Sequence, residues 1–179
     1  MRHWALSTAI GAAILTSGSA SWAQGLISGI YVLNRGQSDN VSKAITRGID
    51  DVPIATRGLA GARLRKSNTP SDGFRVYSSP DRFSIKDDDK PTIAVSTSGE
   101  PIRWKLLDGQ VFNVSAKANG ETVSLTYRAA KNEPTAVWAD SERTTVYHGV
   151  GRDLVAETVI TGPQLSKPIR YKLVYSPAS

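Results

Sequence analysis

From Phe74 onward, apolar and polar residues alternate with the period of two expected for half-buried β-strands. Phe112, Val114 and Ala116 fall on one side of an extended chain, and Asn113, Ser115 and Lys117 on the other. Val123, Leu125 and Tyr127 repeat the pattern, as do Ile169, Tyr171, Leu173 and Tyr175 against Arg170 and Lys172. Strands are predicted over residues 74–79, 83–86, 92–97, 102–107, 111–117, 122–128, 135–139, 144–148, 154–161 and 169–175. Turn chemistry separates them: Asp108-Gly109, Asn119-Gly120, Gly149-Val150-Gly151 and Gly162-Pro163. Asn119-Gly120 carries the strongest hairpin signal, because a type I′ turn needs two residues that tolerate positive φ. A sheet of ten or so short strands does not stay open and flat, and tight sequential hairpins favour an up-and-down antiparallel β-barrel.

Ahead of this region the periodicity changes. Residues 26–33 read as a lead strand ending at Asn34-Arg35-Gly36. Ser38 and Asp39 then offer helix N-caps, and Val41, Ile45, Ile49 and Val52 recur at helical spacing, with Lys43, Thr46, Arg47 and Asp50 turned away. Pro53 stops or kinks that helix. A weaker helical stretch over 54–64 carries Gly58 and Gly61, and residues 67–73 read as loop. The expected fold is therefore a mainly β, up-and-down barrel with a helical insert over 38–64.

The first residues follow another logic. Arg2 and His3 give a basic start, residues 4–15 form an apolar core, and Ser21-Trp22-Ala23 places small residues where a signal peptidase reads. The apolar run is too short for the ~20 residues of a bilayer span. Residues 1–23 are expected to be a signal peptide cleaved before Gln24, leaving one barrel domain over 24–179 in a periplasmic or secreted protein. That domain of 156 residues can bury a core without covalent help. The chain has no cysteine, which excludes disulfides, thiolate metal sites and cysteine nucleophiles, and an exported protein without disulfides fits a bacterial envelope. Without Arg2 the chain carries 21 basic and 16 acidic residues, a net of +5. That moderate field favours anionic partners without being a signature of nucleic-acid binding, and no nucleic-acid partner is expected.

The order of strand, helical insert and β-meander resembles the calycin group, the lipocalins and fatty-acid-binding proteins. Gly29-Ile30-Tyr31-Val32-Leu33 sits where those families carry an opening glycine-x-aromatic strand, and the insert resembles the helical lid of the fatty-acid-binding branch. Trp104, Asp108-Gly109 and Val114-Ser115, with the ending Gly162-Pro163-Gln164-Leu165, Pro168 and residues 171–175, look like an uncharacterised family of exported bacterial proteins. The resemblance implies a fold and a location. Two features depart from it: position 31 is Tyr rather than the lipocalin Trp, and Lys172 stands where an Arg-x-Tyr carboxylate clamp after Arg170 needs Tyr. No carboxylate site is therefore implied by the resemblance.

Candidate chemistry is sparse. His148 is the sole histidine left after cleavage; it precedes a glycine turn, and no serine-centred motif lies nearby. Asp87-Asp88-Asp89-Lys90 lacks the turn glycine of a dedicated calcium loop and reads as a solvated hairpin tip. No pair is selected by spacing among Glu121, Glu133, Asp140, Glu142, Asp153 and Glu157 for glycosidase-type chemistry. No metal site, cofactor or catalytic residue is assigned.

The leading reading is a non-enzymatic binding protein for an apolar or amphipathic, lipid-like small molecule. Its pocket candidates are Tyr31, Ile45, Ile49, Trp104, Phe112, Tyr127, Trp138 and Tyr171. Arg57, Arg63, Arg65 and Lys66 are candidates for contact with an anionic headgroup or a membrane surface, set against a plain role as helix C-terminal cations. The alternatives are an envelope structural or interaction protein with a filled barrel, and a hydrolase or isomerase on the same scaffold.

Overall fold

A computed structural model describes residues 27–107, 109–130 and 141–178. The proposed signal segment, the strand expected over 135–139 and Trp138 lie outside them. Among the described residues the chain forms β1 (Gly29–Leu33), α1 (Val41–Gly48), α2 (Ile54–Ser67), then β2 (Gly73–Ser78), β3 (Arg82–Asp87), β4 (Ile93–Ser96) and β5 (Ile102–Lys105). The longer strands follow: β6 (Val111–Asn119), β7 (Thr122–Ala129), β8 (Glu142–Val150), β9 (Asp153–Thr161) and β10 (Ile169–Pro177).

All ten strands join one antiparallel sheet in the order β4-β3-β2-β1-β10-β9-β8-β7-β6-β5. The sheet curls into a nearly closed barrel. At one end of its seam a bridge joins Ser98 to Lys117. Elsewhere along it the Trp104 Nε1–H of β5 donates to the Pro91 carbonyl before β4, at 3.1 Å. The alternation read from the sequence is the inside and outside of this barrel. Val114, Ala116, Val123, Leu125, Ile169, Tyr171, Leu173 and Tyr175 are buried in one continuous core.

Hairpin loops use glycine where the backbone needs it. Asn119 is the last paired residue of β6, opposite Thr122, so the loop is Gly120-Glu121 with Gly120 at φ +59°. The hairpin expected at Asn119-Gly120 exists, one residue further on. The β8–β9 loop repeats the arrangement with Gly151 at φ +62° after the pair Val150 and Asp153. Both glycines take the first loop position, which type I′ and II′ turns place at positive φ.

The N-cap of α1 corrects the sequence reading. Asn40 caps it, its side chain accepting from the Lys43 N–H at 2.9 Å. Ser38 and Asp39 complete the ladder of β10 instead, where β1 has ended. The Val174 N–H donates to the Ser38 hydroxyl at 2.9 Å, and the Lys172 N–H donates to the Asp39 carboxylate at 2.7 Å. These bonds pin the start of the helical pair to β10. Pro53 stands at the start of α2, which runs to Ser67, beyond the expected end at 64.

Val41, Ala44, Ile45, Ile49 and Val52 are buried beneath the helical pair. Close approach depends on Gly48, where a Cβ would come within 2.3 Å of the Ile169 side chain of β10. Gly58 is the opposite case, with nothing within 4 Å of a Cβ in the middle of α2. Gly48→Ala should therefore destabilise the protein by about 1–3 kcal/mol through overpacking, while Gly58→Ala should stabilise it by up to ~1 kcal/mol through helix propensity. Urea denaturation of the two variants checks both signs.

Candidate functional site

The barrel encloses a cavity of about 360 Å³, inside the roughly 300–1,000 Å³ of sites that hold a small ligand. Its lining follows from strand register. Tyr127 of β7, Arg143 of β8 and Ile160 of β9 form one inward-facing row. Thr145, Thr158 and Tyr171 form the next across β8, β9 and β10, and Tyr147, Ala156 and Leu173 the one after. Trp104 and Phe112 form a wall against Tyr127, with the Trp104 and Tyr127 rings edge-on at 5.9 Å. Phe74 and Tyr175 pack at 4.4 Å on another side.

One charged group is built into this apolar interior. The Arg143 guanidinium lies 3.8 Å from the centroid of the Tyr127 ring, a cation–π placement that desolvation strengthens. Its Nη1 donates to the Ser67 carbonyl at 2.9 Å and to Asn68 Oδ1 at 3.3 Å. Its Nε is buried and has no hydrogen-bond partner. Among the described residues no carboxylate pairs with it.

Asn68 joins this cation to the lid. Its Nδ2 donates to the Leu64 carbonyl at 2.8 Å, closing the last turn of α2, while its Oδ1 accepts from the Tyr171 hydroxyl at 3.1 Å. Beyond Tyr171 lies Thr158, whose hydroxyl is 2.9 Å from that of Thr145. A polar seam thus runs from the helix end through Arg143 down one wall of the cavity.

Burial pushes the Tyr127 and Tyr171 phenols up from their ordinary range, with Arg143 opposing in each case. Burial raises Tyr147 well above its ordinary range, and also raises Tyr31 and Tyr175. The cavity phenols are therefore neutral donors, and no general base is created among them.

At the mouth, Lys66, Ser71, Asp87 and Lys90 meet from the end of α2 and the β3–β4 turn. Ser71 donates to Asp87, and Lys90 Nζ donates to the Ser71 hydroxyl at 3.0 Å while pairing with Asp87 at 3.1 Å. Asp87 is thus not part of a solvated tip, because its side chain is only 10 % exposed. Burial acts to raise its carboxyl, but hydrogen bonds from Ser71, the Asp89 N–H and Lys90 outweigh it and hold the group below the usual carboxylate range. A serine beside a lysine suggests a nucleophile, yet this lysine is engaged as donor to Ser71 and ion partner of Asp87. The cluster is a latch across the mouth.

The structure sorts the sequence candidates. Trp104, Phe112, Tyr127 and Tyr171 line the cavity. Tyr31, Ile45 and Ile49 do not line it; they are consumed in packing, Ile45 fully buried and Ile49 against Gly61 of α2. Of the four cations only Lys66 reaches the cavity wall. Arg57 instead folds back on the corner between the helices, donating to the Val52 and Asp50 carbonyls, and Arg63 and Arg65 lie on α2 away from the lining. His148 stands on the outer face of β8, opposite Val155. The sequence pattern alone starts this strand at Thr144, which leaves Arg143 outside it. Two residues of further alternation put it on the face of Thr145 and Tyr147.

No family model and no curated protein matches the sequence. Solved structures do. The fatty-acid-binding protein of Manduca sexta aligns over 84 % of this chain and 98 % of its own, at 13 % identity and TM-score 0.52. Lipid binding protein 8 of Caenorhabditis elegans aligns over 84 % and 94 %, at 12 % identity and TM-score 0.51. A luciferase domain of the dinoflagellate Lingulodinium polyedrum covers 82 % of this chain and 41 % of that one, at 10 % identity and TM-score 0.52. The fold is the calycin-type barrel of the fatty-acid-binding proteins. At these identities the likeness extends to the fold alone.

Two pH effects are expected. The depressed Asp87 carboxyl contributes stability that is fully present above its unfolded value near pH 4 and is lost as pH falls through the folded value, so acid should loosen the mouth first. Protection from hydrogen exchange at residues 69, 71–72 and 87–90, taken relative to the intrinsic rate at each pH, should fall on acidification, and Asp87→Asn should remove that dependence. The raised phenols act in the other direction. An unfolded chain ionises its tyrosines at about pH 10, whereas the buried ones stay protonated, so stability should fall as pH rises past that point. Alkaline titration followed by tyrosinate absorbance should show the buried phenols ionising together with unfolding.

Proposed function

We propose that this protein is an exported, non-enzymatic carrier of a single-chain amphiphile with an anionic headgroup, held in the barrel with the headgroup at Arg143. The observation that carries the reading is the half-buried Arg143 side chain on the cavity wall, with its Nε fully buried. A cation in an apolar cavity is costly unless oxygen atoms surround it, and among the described residues Arg143 has a buried, unused Nε and only neutral partners. A carboxylate placed there would gain charge-assisted hydrogen bonds and the neutral phenols of Tyr127 and Tyr171 as neighbours. The aromatic and aliphatic walls suit an acyl or similarly apolar tail, and a cavity of about 360 Å³ suits one chain rather than two.

The lipid-binding names among the fold's neighbours support the same class of ligand. Export rests on the signal-like residues 1–23 and on the absence of cysteine. Those two features support a location in a bacterial periplasm or beyond it. The open cavity favours this reading over a filled structural barrel.

Displacement of a fluorescent fatty-acid analogue tests it. Wild-type protein should bind the acid more tightly than its methyl ester. Arg143→Gln should weaken the acid by roughly 10–100-fold, the scale of one or two hydrogen bonds to a charged group, and leave the ester nearly unchanged. Equal binding of acid and ester by wild-type protein would show that Arg143 is structural.

A further inference from the structure

The outer face of β1, β2 and β3 carries a second pattern that the cavity does not use. Outward positions on these strands are Ile30 and Val32 of β1, Arg75 and Tyr77 of β2, and Arg82, Ser84 and Lys86 of β3. Three of them are large and apolar yet half exposed: Ile30 at 51 %, Val32 at 50 % and Tyr77 at 56 %. Register brings them together. Ile30 lies opposite Arg75, Arg75 opposite Lys86, and Tyr77 opposite Ser84, so Tyr77 is the diagonal neighbour of Ile30.

The charges of this face have one sign. Arg75, Arg82 and Lys86 are all exposed, and none forms an ion pair among the described residues. Among the described residues the carboxylates near this face lie at the ends of the strands: Asp72 pairs with Arg35, Asp87 with Ser71 and Lys90, and Asp81 bonds Ser79 beside Arg82, while Asp88 and Asp89 are exposed in the β3–β4 turn. Like charges directly opposite each other, as Arg75 and Lys86 are, destabilise a sheet. Aliphatic side chains, a tyrosine and unpaired cations on one face make the composition of a surface that meets an anionic lipid interface, where apolar groups enter the headgroup layer and basic groups meet phosphate.

We propose that the β1–β3 face docks this protein on an anionic lipid surface. Gly73, opposite Val32, follows directly on the loop at the cavity mouth, so docking by this face sets the mouth beside the lipid. The helical cations Arg57, Arg63 and Arg65 take no part in it. The inference stands whether or not Arg143 holds a ligand.

Co-sedimentation of protein purified from its own cells with vesicles of phosphatidylcholine alone, or with phosphatidylglycerol added, tests the assignment. Binding should require phosphatidylglycerol and weaken with added salt. Each cation near the surface contributes about 5-fold, so the double variant Arg75→Gln, Lys86→Gln should lose about 25-fold. Ile30→Ser should weaken binding in a way that salt does not mimic. Arg152→Gln, which removes a charge in the β8–β9 loop, should bind as wild type does, and all variants should keep the wild-type far-UV spectrum and urea midpoint as evidence of folding. The proposal fails if Arg152→Gln loses as much per charge as the double variant, because that would be a general field. It fails equally if the protein ignores phosphatidylglycerol vesicles, or if Ile30→Ser leaves binding intact.

Discussion

A guanidinium inside an apolar barrel must be surrounded by oxygen atoms, and much of this molecule is arranged around meeting that requirement. Arg143 is served by the Ser67 carbonyl, by Asn68 and by the face of the Tyr127 ring. The first two belong to the end of α2, so the cation that defines the cavity also fastens the helical lid to the barrel wall. Asn68 is the common member. With one end of its amide it closes the helix, and with the other it accepts from both Tyr171 and Arg143. A buried polar network of this kind is strong when complete and costly when any member is lost. Lid position and cavity electrostatics are therefore coupled through one side chain.

The opposite end of the helical pair is held by a different physics. Ser38 and Asp39 bond to the β10 backbone where β1 runs out, and Gly48 lets α1 settle against Ile169. The interior apolar face of α1 is spent on that contact. This is why Ile45 and Ile49, which have the right polarity for a pocket lining, contribute to lid packing and not to the cavity wall. The mouth is left to the far end of α2, with the latch of Ser71, Asp87 and Lys90 beside it. The lid is thus held at both ends, by apolar packing of α1 on β10 and by the polar contacts of Ser67 and Asn68 at the end of α2.

The barrel itself separates two surfaces with different roles. The inward set is aromatic and aliphatic with one cation and a seam of hydroxyls. The outward set on β1 to β3 mixes half-exposed apolar groups with cations that form no ion pair among the described residues. Both sets are written on the same strands in alternating positions. A single substitution thus addresses one surface with little effect on the other.

Strand existence, the barrel class and the helical insert were legible in the sequence, because alternation, turn glycines and helical spacing are local properties of the chain. Each inward residue of β6, β7 and β10 could be assigned to a face from its parity alone. What the chain could not disclose depended on register and on packing across elements. Parity also places Arg143 inward, but only once β8 is known to begin at Glu142, and the strand start was set by pairing with β7 and β9 rather than by composition. The hairpin loop moved from Asn119-Gly120 to Gly120-Glu121 because cross-strand pairing, not the dipeptide, chooses which residues remain unpaired. The cations of α2 looked equivalent in sequence, yet the direction of the helix over the barrel leaves only Lys66 on the cavity wall. The sequence by itself determined which residues want to be buried. Tertiary structure decided which buried residues fill space and which surround it, since a cavity is a property of how closely distant elements approach.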